Sequence, residues 1–75
     1  MTTPEFTFTP GRVVVWDHSR GRGVLHADDD PRDVVADLVA FEHFHTTIYP
    51  GLAVQFRSTA TPGGLRAVTV RPATS

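Results

Sequence analysis

Apolar and polar positions alternate in short runs along this chain, and turn-forming residues separate the runs at fairly regular intervals, which is the signature of several short β-strands. Glu5-Phe6-Thr7-Phe8-Thr9 alternates and uses β-favouring residues, so it predicts an extended lead-in or strand, with Pro10 confining it to an edge. Val13-Val14-Val15-Trp16 is β-branched and aromatic, lies between Gly11 and the turn-like Asp17-His18-Ser19, and predicts a first barrel strand. After Gly21 and Gly23, Val24-Leu25-His26 predicts a second strand hairpinned to the first. Asp28-Asp29-Asp30-Pro31 then marks a turn.

The stretch from Asp33 to Phe44 admits two readings. Val34, Val35, Leu38, Val39 and Phe41 suit either a short amphipathic helix capped by Asp33, or a buried strand followed by one helical turn. Context favours the strand and turn. Tyr49-Pro50-Gly51 is a further turn, Leu52 to Arg57 begins a strand, Pro62-Gly63-Gly64 turns again, and Leu65 to Arg71 alternates up to Pro72. Such a series predicts an all-β barrel or sandwich. Phe56, on an alternating strand, is expected in the core.

Composition narrows this picture. Seventy-five residues make one small domain, of a size that buries only about 60% of its unfolded surface. No cysteine is present to add a disulfide or a thiolate metal site, which fits a reducing compartment. No apolar run approaches the ~20 residues that cross a bilayer, and no secretion signal is evident, so the expectation is a cytoplasmic protein with no membrane association. All seven basic residues are arginine against eight acidic residues, a formal net charge of -1. That balance does not suit a general nucleic-acid binder, and any such binding requires a local patch.

From Gly11 to Pro72 the landmarks are similar to those of a cold-shock domain, a small five-stranded antiparallel barrel of the oligonucleotide-binding (OB) fold. Gly11-Arg12-Val13-Val14-Val15-Trp16-Asp17 resembles the family's opening G-K-V-K-W-F-N, and Arg20-Gly21-Arg22-Gly23-Val24-Leu25 resembles its first RNA-binding motif, K-G-F-G-F-I. Asp33-Val34-Val35-Ala36-Asp37-Leu38-Val39-Ala40-Phe41 resembles the second motif, D-V-F-V-H-F-S-A-I. Gly51-Leu52-Ala53-Val54-Gln55-Phe56 and Gly64-Leu65-Arg66-Ala67-Val68-Thr69-Val70 resemble the closing G-Q-A-V-E-F and G-P-Q-A-A-N-V. The resemblance implies a domain over residues 11–72, an N-terminal extension over 1–10 and a tail over 73–75. It implies binding of single-stranded RNA or DNA, yet the family's exposed aromatics are replaced here by Val15, Arg22, Val24, Val35, Asp37 and Leu38.

Two functional expectations follow. One is a non-catalytic regulatory binder of single-stranded nucleic acid with an arginine-based face, contacted by Arg12, Trp16, His18, Arg20, Arg22 and Phe44. Arginine both stacks on bases and grips phosphates. Bases stacked on aromatic rings gain roughly 1 to 3 kcal/mol each, so the lost rings weaken this mode, and Asp37 opposes phosphates. The other is a protein-interaction module, hetero-partnered or homodimeric, built on an aliphatic patch of Val15, Val24, Val35 and Leu38. Trp16 reads equally as a stacking platform or as packing at the barrel's edge. Phe44 and His45 straddle a position where the family carries a loop aromatic.

No cofactor is expected. His26, His43 and His45, with Glu42, lack the spacing of a zinc site, and Asp28 to Asp30 lack that of a calcium loop. Asp17, His18 and Ser19 are neighbours in a tight turn, where side chains diverge, so no nucleophile relay and no enzymatic activity is expected.

Overall fold

The structure, a computed structural model, describes residues 8–44 and 47–73. The lead-in before Phe8, His45 and the last two residues lie outside the described residues. Five strands run in order: β1 Thr9–Asp17, β2 Arg22–Ala27, β3 Asp30–Asp37, β4 Ala53–Thr61 and β5 Gly64–Pro72. A single 3-10 turn, Leu38–Ala40, follows β3, which is the strand-plus-turn reading of the ambiguous stretch. The strands close in the order β1-β2-β3-β5-β4. This is the all-β, five-stranded barrel expected from the sequence, of the OB type. Four neighbouring pairs are antiparallel, and the short seam where Val34 meets Leu65 and Val35 meets Arg66 is parallel.

Local chemistry explains where the strands turn. Asp17 Oδ1 accepts from the Ser19 amide (3.0 Å), the Ser19 hydroxyl (2.8 Å) and the Arg20 amide (3.2 Å), so the first hairpin loop is tied by one carboxylate. Gly21 closes that loop at φ 65°, where a side chain is disfavoured, and its amide donates to Asp17 O. The acidic turn is tighter than the sequence suggested, since only Asp28 and Asp29 turn and Asp30 already begins β3. β1 begins at Thr9 and pairs with β4 through Pro10 and Gln55. Proline donates nothing to the ladder, but its carbonyl accepts from the Asp28 amide at 3.0 Å.

One irregularity fixes what the first strand presents. Val13 pairs with Leu25 and Val15 with Val24, leaving Val14 as an extra residue in a β-bulge. Strict alternation from buried Val13 would turn Val15 inward and Trp16 outward. The bulge reverses both, so Val15 is 54% exposed and Trp16 packs against the core.

That core is Val13, Leu25, Val34, Ala36, Val54, Phe56, Ala67 and Val70 from the strands, with Ala40 and Ile48 stopping one end. Phe56 is the largest fully enclosed side chain, as expected. No polar side chain is buried among the described residues, so the interior is a dry apolar plug whose stability comes from packing. β4 contributes inward residues only up to Phe56. Past the irregularity at Arg57 and Ser58 the β4-β5 hairpin is solvent-exposed through Gly64.

Candidate functional site

Strand register brings Val15, Val24 and Val35 side by side across β1, β2 and β3, and Arg66 of β5 continues the row beyond Val35. Val35 and Leu38 are exposed and Val24 is half-buried between its neighbours. Three of the four aliphatic residues singled out from the sequence thus form one lateral row, and Leu38 extends the exposed apolar surface from the turn after β3. The next outward row along these strands is Asp17, Arg22 and Asp37. An aliphatic strip therefore lies beside a strip of alternating charge.

The arginines of this half of the molecule are matched by carboxylates. Arg20 lies 3.7 Å from Asp17, Arg12 lies 3.8 Å from Asp28, and Arg32 grips Asp30 with Nε and Nη2 at 3.0 and 2.7 Å. Arg66 Nη2 donates to Asp37 Oδ2. Arg22 sits between Asp17 and Asp37 in register. The Asp17 carboxyl is held below the ordinary aspartate value, first by the Ser19 hydroxyl and then by the Arg20 amide, and Asp30 is held down chiefly by Arg32. These groups are solvent-exposed, and exposed ion pairs are individually weak, so they shape local potential more than stability.

The three non-arginine contact residues expected from the sequence meet at one end of the barrel. Trp16, His18 and Phe44 line an open cleft of about 430 Å³ together with Phe41, His43 and Leu38. Its wall is an aromatic chain: Trp16 and Phe41 meet edge to face at 5.2 Å, and Phe41 and Phe44 do so at 5.1 Å. Gly23 makes room for this. A Cβ there would lie 2.8 Å from Trp16 Cε3 and would meet the Val15 carbonyl oxygen. His43 sits in the left-handed region at φ 63°, a conformation His tolerates better than most residues.

Of the six expected contact residues, Trp16, His18 and Phe44 are brought together, and Arg20 and Arg22 flank the same end in the first hairpin. Arg12 is not with them. It lies opposite His26 on β2, toward the acidic turn at the other end of β1. Phe41 and Arg66 are the members that sequence reasoning missed. Phe41 is the middle ring of the aromatic chain, and its spacing from Phe44 was the available signal. Arg66 reaches Val35 and Asp37 only through the parallel β3-β5 seam, for which no local pattern codes.

Other candidates resolve simply. The Ser19 hydroxyl donates to Asp17 rather than addressing His18, and His26 Nε2 lies 2.7 Å from Asp33 Oδ1. Among the described residues no three metal-ligating side chains converge, and no helix is long and apolar enough to cross a membrane. No known family model matches the chain, and no curated protein matches it as a relative. The resemblance to cold-shock domains accordingly stands on its motifs alone.

Proposed function

We propose that this chain is a non-catalytic protein-interaction module that engages its partner through the outer face of β1, β2 and β3. The observation that carries the reading is the contiguous row Val15, Val24 and Val35 on the outer face of three adjacent strands, with Val15 and Val35 exposed and Val24 half-buried between them. Aliphatic side chains gain by desolvation against another apolar surface and offer no π-face to a base. The flanking charges supply the rest: Arg22 and Arg66 with Asp17 and Asp37 balance in sign, suiting a protein rim better than a phosphate chain.

The test is site-specific photo-crosslinking in cells from position 24, with position 63 at the tip of the β4-β5 hairpin as control, paired with sedimentation of the purified chain. A discrete crosslinked protein from position 24 alone, or dimerisation abolished by Val24→Asp, supports the reading. A strictly monomeric chain that crosslinks no differently from the two positions sinks it.

A second reading rests on a separate observation, the aromatic cleft. Trp16, His18 and Phe44 share one wall with Arg20 and Arg22 nearby, an arrangement suited to one or two bases of single-stranded RNA or DNA. Titrating short oligomers while following Trp16 fluorescence and oligomer anisotropy discriminates the two. Saturable quenching that weakens with salt favours nucleic acid, and a flat response in both signals favours the protein partner.

A further inference from the structure

The valine row on the outer face of β1, β2 and β3 has a charged row on each side of it, and the two rows differ. On one side lie Asp17, Arg22 and Asp37. On the other lie Arg12, opposite His26 on β2, and Asp33, whose Oδ1 is 2.7 Å from His26 Nε2. Both rows stand one outward rung, about 6.7 Å, from the valines. Arg22 and His26 lie two residues either side of Val24 on β2, and Asp33 and Asp37 two either side of Val35 on β3. On β1 the bulge at Val14 takes up the extra residue, so Arg12 and Asp17 keep the same spacing about Val15.

We propose that this face packs against a second copy of the same chain, with the two-fold axis along the valine row, which rests on the assignment of the face as a protein contact and names its partner. In a two-fold seam each residue meets the image of another and is met by it in return. An axis along the row sets Val15, Val24 and Val35 on their own images and lays each charged row over the other kind. Asp17 then faces Arg12 of the second copy, and Arg22 faces His26 with Asp33 one strand over. Both contacts occur twice. The third facing pair, Asp37 and Asp33 of the second copy, is like-charged, but Arg66 lies on the one and His26 on the other. An axis along β2 would instead set Arg22 on its own image and Asp17 on Asp37, so charge selects between the two. The residues that meet can change hands: Arg12 is 3.8 Å from Asp28, and Asp17 spends Oδ1 on its turn while Oδ2 lies 3.7 Å from Arg20, both beyond hydrogen-bond length. Packed sheets cross at about 30°, which moves the flanking rows sideways by roughly 3 Å, within the reach of an arginine. Three strands about 4.8 Å apart and three rungs enclose only a few hundred Å². A standard interface covers roughly 800 Å² per partner, so this dimer is weak and concentration-dependent.

The chain has no cysteine, so single introduced cysteines report contacts without background. The experiment combines sedimentation of the full chain over a concentration series with crosslinking of single-cysteine variants by a short bis-maleimide. A monomer to dimer equilibrium is expected. Val15→Cys should link to itself, and Arg22→Cys to His26→Cys in a mixture, while Gly63→Cys at the tip of the β4-β5 hairpin stays unlinked. Arg12→Glu should weaken the dimer about tenfold while melting as the parent does, because it makes both Asp17 contacts repulsive at an exposed site. A chain that stays monomeric at the highest concentration overturns the proposal, and crosslinking from position 24 to a different protein in cells then leaves the broader contact reading standing. Dimerisation that survives Val15→Asp or ignores Arg12→Glu overturns it too. So does Val15→Cys linking to Val35→Cys in preference to itself, the mark of the axis along β2.

Discussion

The β1-β2-β3 sheet and the β4-β5 hairpin share one core and one closed ladder, yet they present opposite chemistry to solvent. Residues 9–37 carry six aspartates and four arginines, and each of those arginines has an aspartate for a neighbour. Residues 47–73 carry three arginines and no acid. The first region thus shows an aliphatic row framed by balanced charge, and the second contributes arginines but no acidic residue of its own, with Arg66 drawing on Asp37 across the β3-β5 seam. A barrel can divide its labour this way because outward positions contribute little to stability, so each face is free to vary while the inward positions stay apolar.

The comparison breaks most severely if the shared core is opened. Phe56→Ala should cost about 3 to 5 kcal/mol, a large part of what a chain of this size possesses, and denaturant melts should show loss of cooperative folding for both regions together. Gly23→Val should come next. Its side chain would drive into the Val15 carbonyl and Trp16, displacing the aromatic cleft, and a drop of about 1 to 3 kcal/mol with a shifted Trp16 emission is expected. Val15→Asp sharpens the contrast, because Val15 is 54% exposed and its stability cost should stay within about 1 kcal/mol while partner crosslinking at the valine row is lost.

Smaller effects separate the charges. Asp17 and Asp30 have carboxyls held below the ordinary value of 3.8 in the folded chain. A depressed folded pKa contributes stability that is complete above the unfolded value and is lost as pH falls through the folded one. Asp17→Asn and Asp30→Asn should therefore flatten the acid limb of the stability profile below about pH 4 and leave neutral-pH behaviour closer to the parent. The smallest change is expected from Arg66→Ala. It breaks a partly exposed pair with Asp37 for about 0 to 1 kcal/mol, and a thermal melt should scarcely move.

Much of this molecule is determined by its sequence alone. The turns at Asp17 to Gly21, Pro50-Gly51 and Pro62-Gly63 are written in local chemistry, and inward residues such as Leu25, Val54, Phe56 and Val70 stand out by alternation, because β side chains repeat every two residues. The candidate site is less legible. Val13-Val14-Val15-Trp16 is apolar throughout, so it contains no parity signal. Only the bulge at Val14, set by the pairing of β1 with β2, turned Val15 outward into the aliphatic row and Trp16 inward against Phe41. The same holds for Arg66, which joins Val35 and Asp37 only through a parallel pairing between strands far apart in sequence. Local propensity fixes where a strand is and which residues can be buried. Which face a residue joins, and beside whom, depends on register, and register is decided by closure of the whole barrel.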